Sequence, residues 1–88
     1  MRFSWDEAKD RANRRKHGVA FDVAERVFAD LHRKERYDDR HDEDRWITIG
    51  AVERDILVVV YTIRDELGEV IRLISGKEGK CARERVVS

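Results

Sequence analysis

The apolar residues of the chain follow a helical pattern early in the sequence. They recur at intervals of three and four residues at Phe21, Ala24, Val27, Phe28 and Leu31. This spacing predicts an amphipathic helix, which we place at 21–30 with one face against a core. Ala20 stands where a capping Ser or Asp is preferred, so the start of this helix lacks a side-chain cap of its own.

A preceding helix is indicated by its end signals. Asp6 is a candidate N-cap whose carboxylate would accept backbone N–H groups of the first turn, and Ser4 with Glu7 forms an alternative capping box. Gly18 is suited to the left-handed position that follows a helix. The first helix is therefore predicted to run from about Asp6 to Lys16 or His17.

Strands are predicted in the second half, where β-branched residues are concentrated. The three segments are 45–52, 55–64 and 69–75. The short connections "ERD" and "DELG" favour hairpins, and hence antiparallel neighbours. The middle segment is apolar on both faces from Ile56 to Val60, which predicts a central strand covered by helices on at least one side.

The remaining segments are more polar. Residues 31–39 fit an edge strand that leads into a charged loop, and 80–88 fit a short terminal helix. Together these elements predict a single α+β domain over 1–88, in which N-terminal helices pack on a small antiparallel sheet of three or four strands, with a short C-terminal helix.

Length and composition fit a folded domain with a heavily charged surface. The chain has 88 residues, of which 41% are hydrophobic and 43% charged, and the apolar residues are gathered into runs such as "ILVVVYTI". It has one cysteine, Cys81, and its first residues lack the apolar run of a signal peptide. We therefore expect a cytoplasmic protein with no membrane association.

The formal net charge of zero hides a segregation of charge along the chain. Residues 9–16 carry five basic and one acidic residue, whereas 37–44 carry five acidic residues and one arginine. Residues 77–85 are again mainly basic. Local concentrations of charge matter more for partners than the total does.

The basic helix offers one candidate binding surface. Lys9, Asn13 and Lys16 fall at positions i, i+4 and i+7, and His17 follows as a possible proton-transfer group. Such a stripe could hold a phosphodiester backbone. The alternative is an ordinary solvated helix face, which charge runs on helices usually form.

The last predicted strand offers a second candidate. Arg72 lies between Val70 and Ile74 on one face, and a buried arginine there needs an anionic partner. Arg64 ends the preceding strand and Lys77 follows the last one, so the three could converge to stabilise a phosphate. Alternatively, Arg72 pairs with an acidic residue across the sheet.

The acidic loop does not predict a metal site. His41 lies among five acidic residues in 37–44, but Arg40 occupies a position where an EF-hand loop needs a ligand, and no glycine follows. A solvated or partner-facing loop fits better. Cys81 has no catalytic context in the sequence. We expect no metal and no cofactor.

With these residues identified, the whole chain resembles the BrnT family of toxins from type II BrnT/BrnA toxin–antitoxin systems. The stretch "FSWDEAKDRANRRKHGVAF" is similar to the family pattern WD-x-x-K-x-x-x-N-x-x-KHG-x-x-F. "AERVFAD", "RWITIG", "LVVVYT" and "IRLIS" resemble the second helix and three strands of that family.

The resemblance implies a RelE-like fold and a ribonuclease that arrests translation. It also implies a cognate BrnA-like antitoxin of the ribbon-helix-helix type, with RNA as substrate and operator DNA bound through the complex. It favours phosphate binding over the solvated alternatives. The residues it supports are Lys16, His17, Arg64, Arg72 and Lys77 as catalytic, and Lys9, Asn13 and Arg15 as RNA-binding.

The chain departs from the family after its last strand. Family members commonly read Ile-Ser-Ala-Arg-Lys-Ala there, whereas this chain reads "ISGKEGK", so that Lys77 replaces an arginine and Glu78 a lysine. Lysine keeps the charge but loses the bidentate fork of arginine.

Two functions from different classes follow. The first is a metal-independent endoribonuclease in which basic residues hold the scissile phosphate. The second is a catalytically weak module that holds the antitoxin and acts in operator autoregulation. In either case we expect the antitoxin to contact a face carrying Lys16, His17 and Arg72, with the acidic loop 37–44 away from it.

Overall fold

A computed structural model describes residues 2–39, 44–65, 67 and 69–79. In chain order the elements are strand β1 (Arg2–Ser4), helix α1 (Glu7–His17), helix α2 (Phe21–Ala24), a 3₁₀ helix (Glu25–Ala29), and strands β2 (Lys34–Asp38), β3 (Arg45–Val52), β4 (Asp55–Ile63) and β5 (Val70–Glu78). The strands form one sheet in the order β1-β5-β4-β3-β2.

The α+β class is confirmed, but the predicted sheet is wrong in strand number and in direction. The sheet has five strands, because β1 adds to its edge beside β5. This pair is parallel, with Phe3 opposite Ile71, whereas the other neighbours are antiparallel. A three-residue strand is too short to show a period of two, and β1 directly precedes the capping residues of α1.

The central and edge strands agree better with the sequence. β4 lies in the middle of the sheet and β2 at its other edge, as predicted. β5 is longer than the predicted 69–75, since pairing continues through Lys77 opposite Val58 to Glu78 opposite Leu57. Lys77 is therefore inside the strand. The predicted terminal helix at 80–88 lies outside the described residues.

Helix α1 has the predicted ends. Asp6 Oδ1 accepts a hydrogen bond from the Ala8 amide at 2.8 Å, and Gly18 adopts a left-handed conformation with φ of 72°. The buried residues of α1 are polar, however, namely Asp10 and Asn13. The spacing of apolar residues could not reveal this packing face, because the face is polar and is held to the rest of the fold by hydrogen bonds.

The second helix differs from the prediction in two ways. Only Phe21–Ala24 is α-helical, and the chain tightens into the 3₁₀ helix from Glu25. Leu31, which the spacing placed on the buried stripe, is 94% exposed because the helix has already ended. The missing cap at Ala20 is supplied from α1, where Asp10 Oδ1 accepts a hydrogen bond from the Phe21 amide at 2.8 Å.

The helices cover one face of the sheet, which we call the covered face. Its core contains residues from both layers, including Phe21, Ala24, Val27, Val59 and Leu73, all less than 2% exposed. The opposite face, which we call the open face, carries the alternate residues of each strand. Among the described residues, no helix has the length and apolar character needed to cross a membrane.

Candidate nucleic-acid interface

A row of polar residues crosses the open face, with one residue from every strand. Ile71 and Leu73 are buried under the helices, so Arg72 between them points to the open face. Arg72 lies opposite Thr62 on one side and Ser4 on the other. Because Trp46 pairs with Tyr61, the residue before it, Arg45, lies beside Thr62. Asp38 on β2 pairs with Arg45 and ends the row. The polar row comprises Ser4, Arg72, Thr62, Arg45 and Asp38.

Three arginines gather at one end of this face, and we call Arg2, Arg64 and Arg72 the arginine cluster. Arg2 is opposite Val70 on β1, while the Arg64 amide donates to the Val70 carbonyl at 2.9 Å on the β4 side. Arg2 and Arg64 therefore flank Val70 at Cα positions roughly 10 Å apart, two strand spacings. Arg72 lies two residues further along β5.

The charges of this cluster are not neutralised within the part of the chain that the structure describes. None of the ion pairs found there involves Arg2, Arg64 or Arg72. The nearest carboxylate in sequence, Asp65, holds the turn before β5 by accepting the amides of Glu69 at 2.7 Å and Val70 at 3.4 Å. Among the described residues no carboxylate therefore pairs with Arg72 across the sheet, and there its guanidinium can receive an anion.

The residues predicted on α1 do not join this cluster. Helix α1 packs on the covered face of β5, so Lys16 and His17 lie in the helix layer and Arg72 on the other side of the sheet. The expectation of one face carrying all three is wrong. Lys9, Arg15 and Lys16 are exposed, and His17 is half-buried at the helix end.

Asn13 has a structural position instead of the predicted RNA-facing one. It is 7% exposed, and its Nδ2 donates to the carbonyls of Val19 and Gly76, both at 2.8 Å. Its Oδ1 accepts the Gly76 amide at 3.2 Å. The side chain thus fastens α1 to β5, with no polar group left for RNA.

Lys77 shares the open face with Arg72, because an irregularity in the β4–β5 pairing at Val60 and Tyr61 shifts the alternation by one residue, but it lies toward the other end of β5. It is exposed, and five positions along a strand correspond to roughly 15 Å. The two residues thus offer charges at separate places along β5, and an extended RNA backbone can follow the strand from one to the other.

The acidic loop is described only at its two ends. Residues 40–43, with His41, lie outside the described residues. Asp38 and Arg45, which flank the loop, belong to the polar row, so the loop leaves the sheet at the level of Arg72. At its end, the Tyr37 hydroxyl donates to Asp44 Oδ1 at 2.6 Å, and this bond raises the pKa of Tyr37.

The covered face contains a feature that sequence reasoning missed, a pocket of about 240 Å³. We call it the aromatic pocket, and its lining residues are Phe28, Arg33, Glu35, Trp46, Tyr61, Ile63 and Ile71. Glu35 Oε1 accepts hydrogen bonds from both Tyr61 and Arg33. The Arg33 guanidinium also lies 4.8 Å from the centroid of the Phe28 ring, a cation–π distance.

The electrostatics of this pocket keep Glu35 ionised. Burial alone would raise the pKa of Glu35, but the hydrogen bonds from Tyr61 and Arg33 outweigh it and hold that pKa below its usual value. Burial and the neighbouring carboxylate raise the pKa of Tyr61. At neutral pH the pocket thus presents a carboxylate and a neutral phenol. In the sequence the available signal is Arg33 and Glu35 two residues apart in the predicted edge segment 31–39, together with a tyrosine in the apolar run of the central strand.

The residues that the structure describes contain no group of three or more His, Cys, Asp or Glu side chains arranged to hold a metal ion.

Comparison with known proteins identifies one family. The profile of the family described as "Ribonuclease toxin, BrnT, of type II toxin-antitoxin system" matches residues 5–80. The crystal structure of the Brucella abortus ribonuclease toxin BrnT superposes with a TM-score of 0.67, covering 90% of this chain and 96% of that one at 23% sequence identity. At that identity the likeness is one of fold. Among curated proteins, none matches the sequence.

Proposed function

The chain belongs to the BrnT family of ribonuclease toxins of type II toxin–antitoxin systems, and from this premise we propose that it cuts RNA without a metal ion on the open face of its sheet. The observation that carries the proposal is the arginine cluster, three guanidinium groups that have no carboxylate partner among the described residues.

The cluster suits a phosphodiester for two reasons. Guanidinium groups bind phosphate oxygens through paired N–H donors, and they remain charged at any physiological pH. Their positions also fix them relative to one another, because Arg2 and Arg72 lie on paired strands and the Arg64 amide, directly after β4, is hydrogen-bonded to β5. Donors that are already in place stabilise the negative charge on the non-bridging phosphoryl oxygens in the transition state without further reorganisation.

The proposed reaction uses the RNA's own 2′-hydroxyl as nucleophile. Its oxygen bonds to phosphorus, the bond from phosphorus to the 5′-oxygen breaks, and that oxygen takes up a proton while the 2′-hydroxyl loses one to water. The products are a 2′,3′-cyclic phosphate and a free 5′-hydroxyl. In this proposal His17 does not act on the phosphate, since its ring lies in the helix layer, and Lys77 binds the backbone further along β5.

A cleavage assay in chelator tests the proposal. Purified protein incubated with single-stranded RNA and excess EDTA should produce fragments ending in 2′,3′-cyclic phosphate. The Arg64→Ala/Arg72→Ala double variant, checked for folding by circular dichroism, should be inactive. The Lys9→Ala/Lys16→Ala double variant removes as much charge from α1 and should remain active. Absence of cleavage by the wild type, or an active arginine double variant, would refute the proposal.

Membership of the family implies an antitoxin partner, and we propose that a BrnA-like, ribbon-helix-helix antitoxin covers the open face. Beside the arginine cluster this face carries apolar side chains, among them Ile49, which is 38% exposed, and Val58. An amphipathic acidic segment of the antitoxin would match this face, because its carboxylates could pair with the arginine cluster and its apolar groups could contact the apolar side chains. The complex would in turn bind operator DNA through the antitoxin.

Growth and binding measurements test this part. Expression of the chain alone should arrest translation and growth, and co-expression of the antitoxin should restore them. Calorimetry should show weaker antitoxin binding for Arg72→Ala and unchanged binding for Lys16→Ala. Equal affinities of wild type and Arg72→Ala would mean that the antitoxin acts from another surface.

A further inference from the structure

We propose that the aromatic pocket binds one nucleobase of the RNA, and that it prefers guanine. The inference rests on the proposed ribonuclease function for its biological meaning, but the contacts that support it lie on the covered face, apart from the arginine cluster. It assigns a recognition role to Glu35 and Trp46, which neither the sequence pattern nor the reaction requires.

The pocket has the composition of a base-binding site. Single-stranded RNA is read mainly by stacking of unpaired bases on aromatic rings and by hydrogen bonds to their edges. Trp46 is half-buried, so its ring is fixed by the core and still reaches the pocket, whereas the Phe28 ring already carries the Arg33 guanidinium and forms part of the wall. The volume of about 240 Å³ equals that of roughly eight water molecules, enough for one planar base.

The preference for guanine follows from the state of Glu35. Its Oε1 already accepts hydrogen bonds from Tyr61 and Arg33, which fix the carboxylate in place. Oε2 makes no hydrogen bond to the described residues, so both of its lone pairs can accept hydrogen bonds from a ligand. A carboxylate accepts only, and guanine presents two adjacent N–H donors, N1 and N2, on its Watson–Crick edge. Adenine, cytosine and uracil each place an acceptor beside their donor.

The pocket is also placed where an RNA strand could reach it. Its rim includes Ile63, which is 41% exposed at the end of β4, and Glu35, whose side chain is 38% exposed. Arg64 follows Ile63 directly, so their Cα atoms are about 3.8 Å apart. A base held in the pocket would therefore have its phosphate near the arginine cluster, around the end of the sheet.

A purely structural role for Glu35 is the competing explanation. Tyr61 is 2% exposed, and its hydroxyl needs an acceptor, which Glu35 supplies. The two explanations differ in what Glu35→Gln does. Glutamine keeps an oxygen for Tyr61 but replaces the second acceptor by an N–H donor, which should abolish guanine preference while the fold persists.

Tryptophan fluorescence provides the test without requiring cleavage. The chain has two tryptophans, Trp5 and Trp46, so Trp5→Phe leaves the pocket residue as the sole fluorophore. In this background GMP should quench Trp46 at a concentration at least tenfold lower than AMP, CMP or UMP requires. Adding Glu35→Gln should raise the GMP concentration needed by tenfold or more.

The matched control is Glu53→Gln, which alters an exposed carboxylate that pairs with Arg26 at 3.2 Å, away from the pocket. It should leave GMP binding unchanged. Equal quenching by all four nucleotides, or no quenching by any, would overturn the proposal, and neither result depends on a pocket variant that could misfold. Binding of GMP without any cleavage of RNA would support this inference and refute the proposed function. Cleavage of RNA without a preference for guanine nucleotides would support the proposed function and refute this inference.

Discussion

Helix α1 and strand β5 both carry basic residues, but the fold uses them differently. The basic residues of α1 are adjacent in sequence and largely exposed, whereas the buried positions of that helix are Asp10 and Asn13. On β5, Arg72 is half-buried and joins Arg2 and Arg64, which are distant in sequence. The helix contributes mainly to stability, and the strand organises a charged site.

The comparison shows why charge density along a sequence is a poor guide to a binding site. Neighbouring residues on a helix diverge, because each position is rotated by about 100° from the last. A sheet instead places residues from different strands about 4.8 Å apart and on one face. Convergence of charge therefore depends on strand register.

The largest expected difference between the two regions concerns catalysis. Arg72→Ala should lower the rate of RNA cleavage by roughly 10²- to 10³-fold, the usual effect of removing one preorganised donor to a developing charge. Lys16→Ala should change it by about threefold or less, because Lys16 lies on the other side of the sheet. Single-turnover kinetics at saturating protein measures both. Comparable losses in the two variants would show that α1 takes part in the reaction.

The second difference concerns stability, and here α1 should dominate. Asn13→Ala leaves the carbonyls of Val19 and Gly76 without their buried donor, which should cost about 1–3 kcal/mol of unfolding free energy for each unsatisfied group. Lys9→Ala, an exposed change on the same helix, should stay within about 0.5 kcal/mol. Urea denaturation compares them. A small effect of Asn13→Ala would mean that water replaces the amide.

Much of the fold was predictable because local signals coincide with it. The caps at Asp6 and Gly18, the edge strand β2 and the central strand β4 are confirmed. Strand β1 was missed because its stability comes from pairing with β5, far along the chain, and no local pattern marks it. The 3₁₀ helix was missed because its spacing over 25–29 also fits an α-helix. The RelE-like relationship stays a prediction.

The candidate site was less accessible to sequence reasoning. Arg64 and Arg72 were recognised from their positions in predicted strands, and the register places them near each other. Arg2 could not be found without β1. Glu35 and Tyr61 meet only because β2 and β4 both flank β3, so no local pattern links the polar edge segment to the central strand.

A smaller stability effect is expected at Asp10, which links the two helices. Asp10→Ala removes the cap on the Phe21 amide and should cost about 0.5–2 kcal/mol. Asp10→Asn keeps an oxygen for that amide and loses only the ion pair with Arg14 at 3.7 Å, so it should cost about 0.5 kcal/mol or less. Thermal unfolding of both variants separates the contribution of the hydrogen bond to the Phe21 amide from that of the ion pair with Arg14. Equal losses would assign the effect to the ion pair.

The smallest effect should appear in the salt dependence of RNA binding, and it tests the place of Arg2 in the arginine cluster. Each phosphate contact with a single strand contributes about 0.7 to the slope of log K against log salt concentration. If Arg2 contacts a phosphate beside Val70, Arg2→Ala should reduce the slope by about 0.7 and weaken binding equally for all sequences. Arg15→Ala removes the same charge from α1 and should leave the slope unchanged. Filter binding of uncleavable 2′-methoxy RNA over a salt series measures both variants. A reduction for Arg15 and none for Arg2 would place the RNA on the helix layer and reverse the comparison.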